Sequence, residues 1–224
     1  MLIDPSYIRE EDSKIHKTLY FLIRHKLHLF FVLCGFLITA TACDVIGQSK
    51  TLNYKIVQNN KVIGWMKLEK NDSLNTSLIT LNSTATKRFV FLFTLVESQQ
   101  TFFTNGIVTR SYIYRRINDD VKVNRSTIYA DNYYKISNGS AFKQSKPANI
   151  TYNQLSLYFF EPLNIREVYS DNYEQYLKIE RNGDQNYLVK FPDGNRNSYY
   201  YTHGICSKVR VEQKFFTAEF ILSN

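Results

Sequence analysis

The sequence predicts an all-β protein, an antiparallel meander curled into a barrel or half-barrel, with one short helix and an N-terminal signal segment. Three observations carry this reading. The 224 residues include 17 Tyr and 16 Phe but only 4 Pro, and aromatic and β-branched side chains suit a pleated, half-buried surface. Turn pairs recur at short intervals: Asn59-Asn60, Asn71-Asp72, Asn105-Gly106, Asn118-Asp119, Asn138-Gly139, Asn182-Gly183, Asp193-Gly194 and His203-Gly204. Such pairs mark hairpins because both turn residues tolerate positive φ. Between them lie short runs in which apolar and polar residues alternate with the period of a strand.

The N-terminal segment has a different character. Arg24, His25 and Lys26 form a cationic lead, and 29–42 is a charge-free run of about 14 residues. That length fits the core of a signal peptide, about 7–15 residues, better than a membrane span of about 20. Residues 1–47 are therefore expected to be an N-terminal extension and signal peptide, and 48–224 a single all-β domain. Two processing points fit. Val45-Ile46-Gly47 places small residues before Gln48, and this cleavage is favoured. Alternatively, Ala40-Thr41-Ala42-Cys43 resembles a lipobox and would lipidate Cys43, although Ala40 stands where Leu is usual. The stretch ahead of the basic residues is long for a signal peptide and includes Glu10-Glu11-Asp12. A translation start downstream of Met1, or an uncleaved signal anchor, would account for it. The expected location is the periplasm or cell envelope of a Gram-negative bacterium, with membrane contact only through the signal segment or a lipidated Cys43. Of the 3 Cys, only Cys206 lies clear of this segment, so no internal disulfide is expected.

From Gln48 onward the runs 52–58, 61–70, 78–86, 89–97, 107–117, 121–129, 176–181, 187–191, 198–202, 205–212 and 215–222 read as strands. In the second-last, Ile205, Val209 and Val211 fall on one face, with Cys206, Lys208, Arg210 and Glu212 on the other. So many strands joined by tight turns would leave long open edges if flat, hence the expected curl; a β-sandwich is the competing arrangement. Only 149–164 breaks the rhythm. Ile150, Leu155, Tyr158 and Phe159 approach helical spacing and Pro162 would stop a helix, giving a short helix or turn at the barrel mouth or on its outside.

Charge and motif content narrow the function classes. The charges of 1–47 cancel, so the formal +8 sits on 48–224. A basic domain attracts anionic partners, but no dense Lys/Arg block, RNP-type aromatic motif or helix-turn-helix pattern is present, and nucleic acid is not expected. His203 is the one histidine beyond the signal segment, which excludes a site with two His ligands. Neither a phosphate-binding Gly-rich loop nor a Gly-x-Ser-x-Gly elbow occurs. No cofactor or metal is expected.

Three constellations are candidates for chemistry. His203 and Cys206 flank a predicted turn, where Lys208 and Arg210 would favour a thiolate; ordinary turn chemistry explains the pair equally. Glu161 follows Tyr158, Phe159 and Phe160, and a carboxylate among rings can act as a general acid; the same string reads as an aromatic-packed helix end. Tyr112 and Tyr114 share a strand face with Arg110 and Arg116, an aromatic surface edged by guanidinium groups that suits an amphiphile or a glycan with an anionic head. The ligand-binding candidates are thus Arg110, Tyr112, Tyr114, Arg116, Tyr158 and Glu161, with no catalytic residue nominated.

Tyr54-Lys-Ile-Val with Val62-Ile-Gly-Trp-Met, Phe103-Thr-Asn-Gly106, Leu157-Tyr-Phe-Phe-Glu-Pro162, Pro192-Asp-Gly-Asn and Tyr199-Tyr-Tyr-Thr-His-Gly-Ile-Cys206 together resemble an uncharacterised family of exported bacterial proteins, domain of unknown function 6134. The resemblance implies export, an envelope location and a curled all-β fold, and brings no catalytic residues. Function is expected to be that of a non-enzymatic binding or carrier module for a hydrophobic or amphiphilic ligand. A structural or protein-interaction module of the envelope, with an envelope protein as partner, is the alternative; an enzyme of unknown class comes third.

Overall fold

The structure, a computed structural model, describes residues 47–88, 92–139, 141–145, 149–214 and 216–223; the expected signal segment up to residue 46, with Cys43, lies outside them. Its elements are β1 (Ser49–Gln58), β2 (Lys61–Ser73), β3 (Thr76–Arg88), β4 (Leu92–Thr104), β5 (Ile107–Ile117), β6 (Asp120–Ala130), β7 (Tyr133–Asn138), β8 (Ala141–Ser145), α1 (Ser156–Phe159), β9 (Glu167–Ser170), β10 (Gln175–Arg181), β11 (Asn186–Lys190), β12 (Arg196–Thr202), β13 (Ile205–Gln213) and β14 (Phe216–Ser223). The strands form one antiparallel sheet of 14 in the order β8-β7-β6-β5-β4-β3-β2-β1-β14-β13-β12-β11-β10-β9. It is a meander in two arms, joined where β1 pairs with β14 from Asn53↔Ser223 to Val57↔Glu219. The middle of the chain therefore supplies both edges, β8 and β9, and the sheet is not closed.

The hairpin turns obey the chemistry that announces them. Asn59 and Asn60, Asn105 and Gly106, and His203 and Gly204 all take positive φ, which gives two-residue turns the twist of their strands. Asn71-Asp72 is not a turn: Asn71 pairs with Leu78 and Asp72 with Ser77, and the chain reverses two residues later at Leu74-Asn75. Three strands, β7, β8 and β9, go unread in the sequence. Asp131-Asn132 makes the β6–β7 turn, with φ of 57 and 63, a glycine-free pair like Asn59-Asn60. β4 also continues to Thr104, through a polar stretch that hides its strand period.

Curling brings both arms around one core. Leu52 and Ile56 of β1, Val108 of β5, Tyr134 of β7, Leu177 of β10 and Val189 of β11 belong to a single buried cluster. Bulges between Ile56/Val57, Phe102/Phe103, Arg115/Arg116 and Tyr200/Tyr201 add the local bend that a curled sheet needs. Gly64, opposite the first bulge, has its Cα so close to β3 that a Cβ would meet the Thr84 carbonyl oxygen at 2.1 Å.

The short helix forms as expected but is placed differently. α1 lies neither at the mouth nor outside: Leu157 is 0% exposed and Phe159 3%, so it packs inside the half-barrel. The aromatic-rich sequence around it is the reason, because only the concave face can bury so much apolar area. One turn of helix cannot satisfy its own carbonyls. Tyr201 Oη donates to the Leu157 carbonyl at 2.7 Å and Tyr152 Oη to that of Phe160 at 2.6 Å. Several of the many tyrosines thus bring a core ring and a hydroxyl for a buried backbone group in one side chain.

The turn between β9 and β10 crosses to the other arm. Ser111 Oγ donates to the Asp171 carboxylate, and Arg125 Nη1 donates to the carbonyls of Asp171 (2.9 Å) and Asn172 (2.5 Å). Glu174 lies 3.0 Å from Arg125 Nε and 3.2 Å from Lys143 Nζ of β8. These side chains bind one end of the sheet to the other arm, beside backbone bonds that run from Val108 of β5 to Ile150 and from Tyr152 and Gln154 to Tyr169 of β9.

Candidate functional site

Both arms wall a cavity of about 510 Å³. Its layers follow from the register of β3, β4 and β5. At the mouth, Lys87 pairs with Phe93, which is 42% exposed; Phe216 stands opposite, its ring under Lys87 Nζ at 5.5 Å. Two residues further in, Ala85, Leu95 and Ile117 align across the strands. With Ile56, Phe191 and Phe220 they make an apolar collar. The floor is Leu155 and Tyr158 of the α1 segment. The Tyr158 ring packs edge-on against Tyr54 at 5.5 Å and Tyr199 at 6.1 Å.

Between collar and floor stands a polar station. Ser83, Glu97 and Arg115 occupy the next inward row, about 13 Å along β4 from Phe93 at 3.3 Å per residue. Arg115 holds Glu97 with two parallel bonds, Nε to Oε2 at 2.9 Å and Nη2 to Oε1 at 3.0 Å, the geometry in which a guanidinium binds a carboxylate most firmly. Gln99 Nε2 also donates to Glu97. The Glu97 side chain is 14% exposed and that of Arg115 27%. Burial works to lower the Arg115 pKa, but the Glu97 charge and hydrogen bonds outweigh it and the pKa rises, so Arg115 stays a cation. The hydroxyl of Tyr158 has no hydrogen-bond partner among the described residues. Burial, then the neighbouring Tyr199, Cys206, Tyr54 and Glu97, push its pKa well above the phenolic range, so it remains a neutral donor.

Against this geometry, the family model described as Domain of unknown function (DUF6134) matches residues 54–223. The chain belongs to the DUF6134 family. No curated protein matches it. Among solved structures it is similar to a β-barrel-like protein of domain of unknown function DUF1849 from Brucella abortus, with a TM-score of 0.55 at 9% identity, over 80% of this chain and 97% of that one. At that identity the likeness concerns the fold.

Of the residues nominated from sequence, the DUF6134 domain brings Tyr158 to the cavity. Arg110, Tyr112 and Tyr114 do share a face of β5, but it is the outer one: Arg110 stacks near the Phe102 ring at 6.0 Å and Tyr112 is 37% exposed. Arg116 donates to the Asn118 carbonyl at 2.7 Å. Their inward neighbours, Arg115 and Ile117, line the cavity instead. Glu161 lies apart from it and accepts from Tyr187 Oη at 2.9 Å. Sequence reading missed Glu97, Gln99 and Arg115. The available signal was Glu97 of β4 at a position that pairs with Arg115, one of three arginines of β5; seeing it requires the register.

The His203–Cys206 constellation does not form a site. His203 sits exposed in the turn, whereas Cys206 is 0% exposed. The bulge after Tyr200 skips Ser207, pairing Tyr200 with Lys208 and Tyr201 with Cys206. Cys206 therefore joins Val209 and Val211 in the core, opposite Lys208 and Arg210. Burial pushes its thiol up to about 12, the reverse of the expected activation.

Proposed function

We propose that this domain is a non-enzymatic binding or carrier module of the bacterial cell envelope that holds a hydrophobic or amphiphilic ligand in its cavity. The observation that carries the reading is a lumen of about 510 Å³ walled by Phe93, Phe191, Phe216, Phe220, Tyr158 and Tyr199 and left unfilled by them. Cavities of about 300–1,000 Å³ lined by apolar groups with a few polar ones are the usual small-molecule sites. The charge-free run 29–42 behind a basic lead supports export to the envelope.

Native mass spectrometry of the chain purified from an exporting bacterial host, before and after organic extraction, tests it. An adduct with the mass of a lipid or other amphiphile is expected, lost on extraction and absent from an Ala85→Trp variant whose indole fills the collar. A clean protein mass from lipid-replete cells would refute the carrier reading and favour a protein-interaction module.

A further inference from the structure

The polar station lies deep, and its charges are already balanced. Resting on the carrier reading, we propose that Arg115 and Tyr158 read the head of the ligand, that this head is an uncharged hydrogen-bond acceptor such as a hydroxyl or ester carbonyl, and that it enters first, leaving the apolar tail in the collar and mouth.

Charge accounting carries the first part. The bidentate Glu97 neutralises Arg115, so an anionic head would leave a net negative charge in an apolar cavity. Burying an unpaired charge costs far more than burying a hydrogen-bonded neutral group. A cationic head would meet Arg115 itself.

Donor accounting carries the second. A guanidinium has five N–H groups, and Glu97 takes one from Nε and one from Nη2; Nη1 has no partner among the described residues. Tyr158, 7% exposed, adds a hydroxyl with none. Both donors belong to residues that line the same cavity, and Glu97 is the acceptor already in use. An acceptor on the ligand would satisfy these two unengaged donors together.

Orientation follows from the mouth. Its cations are engaged: Lys122 pairs with Asp120 at 3.1 Å and Lys87 covers the Phe216 ring at 5.5 Å. Between them and the station Ala85, Leu95, Ile117 and Phe220 present an apolar surface that accepts a hydrocarbon chain, although Tyr173, Asn195 and Asn197 also line the cavity.

The test is calorimetric titration of the delipidated full chain with monopalmitoylglycerol and with palmitate, below their micelle concentrations and at about pH 8, where palmitate is ionised. The ester is expected to bind about tenfold or more tighter, the scale of one hydrogen bond to a charged donor. Tyr158→Phe should shrink that preference. Arg115→Met paired with Glu97→Leu, which leaves no orphaned charge, should abolish it while tail binding persists. Palmitate binding as tightly as the ester, or a preference that survives the double substitution, would overturn the inference and leave the carrier reading standing. If neither compound binds, both fall.

Discussion

Cys206 shows how one bulge decides a side chain's chemistry. On a regular strand it would share a basic face with Lys208; displaced by one residue, it faces Tyr54 and Tyr201 across the core. Its thiolate is disfavoured by burial, so alkylation of Cys206 by iodoacetamide should be negligible in the native protein and complete in denaturant, as read by peptide mass mapping. Rapid native labelling would mean that the bulge is misplaced. Asp171 offers a second test. Burial raises its pKa against the hydrogen bonds of Ser111 and Asn153 and the charge of Arg125. With a folded pKa above the unfolded value of about 3.9, the native state holds the proton more tightly. The resulting stabilisation is full below about pH 4 and declines as pH rises through the folded pKa. The difference in unfolding free energy between wild type and Asp171→Asn should therefore move against the wild type from about pH 4 upward. A flat difference would show that the carboxyl titrates alike in both states.

At the scale of elements, β2 and α1 are the vulnerable pieces. Gly64 leaves no room for a Cβ against the Thr84 carbonyl or the Ala85 Cα, 2.6 Å away, and backbone cannot rotate aside as a side chain can. Gly64→Val should lower stability by more than about 2 kcal/mol in chemical denaturation, as overpacking at a tight site does. Leu157→Ala removes a fully buried side chain from the plug and should cost about 2–5 kcal/mol, with weaker ligand retention because Tyr158 is its neighbour. The sequence made most elements legible, since a positive-φ turn and a period of two are local properties. It hid β7, β8 and β9, which with six, five and four residues are too short to show a clear alternation, and it set Cys206 on the wrong face. A bulge leaves no mark in the alternation that would reveal it; it is fixed by pairing with a strand elsewhere in the chain. The candidate site was less legible than the fold. Tyr158 could be nominated from its own surroundings, but Glu97 and Arg115 become a site only when β4 and β5 align.

For the whole molecule the deciding feature is the seam. β8 and β9 are the edges of the sheet, β9 carrying a parallel bridge from Tyr169 to Asn153, and the β9–β10 turn reaches across to β5 and β6 through Asp171, Asn172 and Glu174. Glu174 serves both Arg125, 14% exposed, and Lys143, 69% exposed. Glu174→Gln should destabilise by about 1 kcal/mol or less, since half of the arrangement is solvated and screened. Hydrogen exchange should nevertheless rise selectively in β9 and β10, the elements held by the seam. Uniform exchange across all strands would argue that the sheet opens as one unit.

What the sequence determined by itself was an all-β meander with its hairpins, its one short helix and a chemistry poor in catalytic groups. Each of these depends on neighbours along the chain: φ tolerance in a turn, alternation in a strand, the mere presence or absence of a residue type. The tertiary structure alone decided that the helix plugs the interior, that Cys206 is inert, and that Glu97 and Arg115 meet beneath an apolar collar. Those outcomes depend on which strand pairs with which and in what register, and on a curl that turns one face of the sheet inward. Such relations join residues far apart in the chain, so no local pattern contains them.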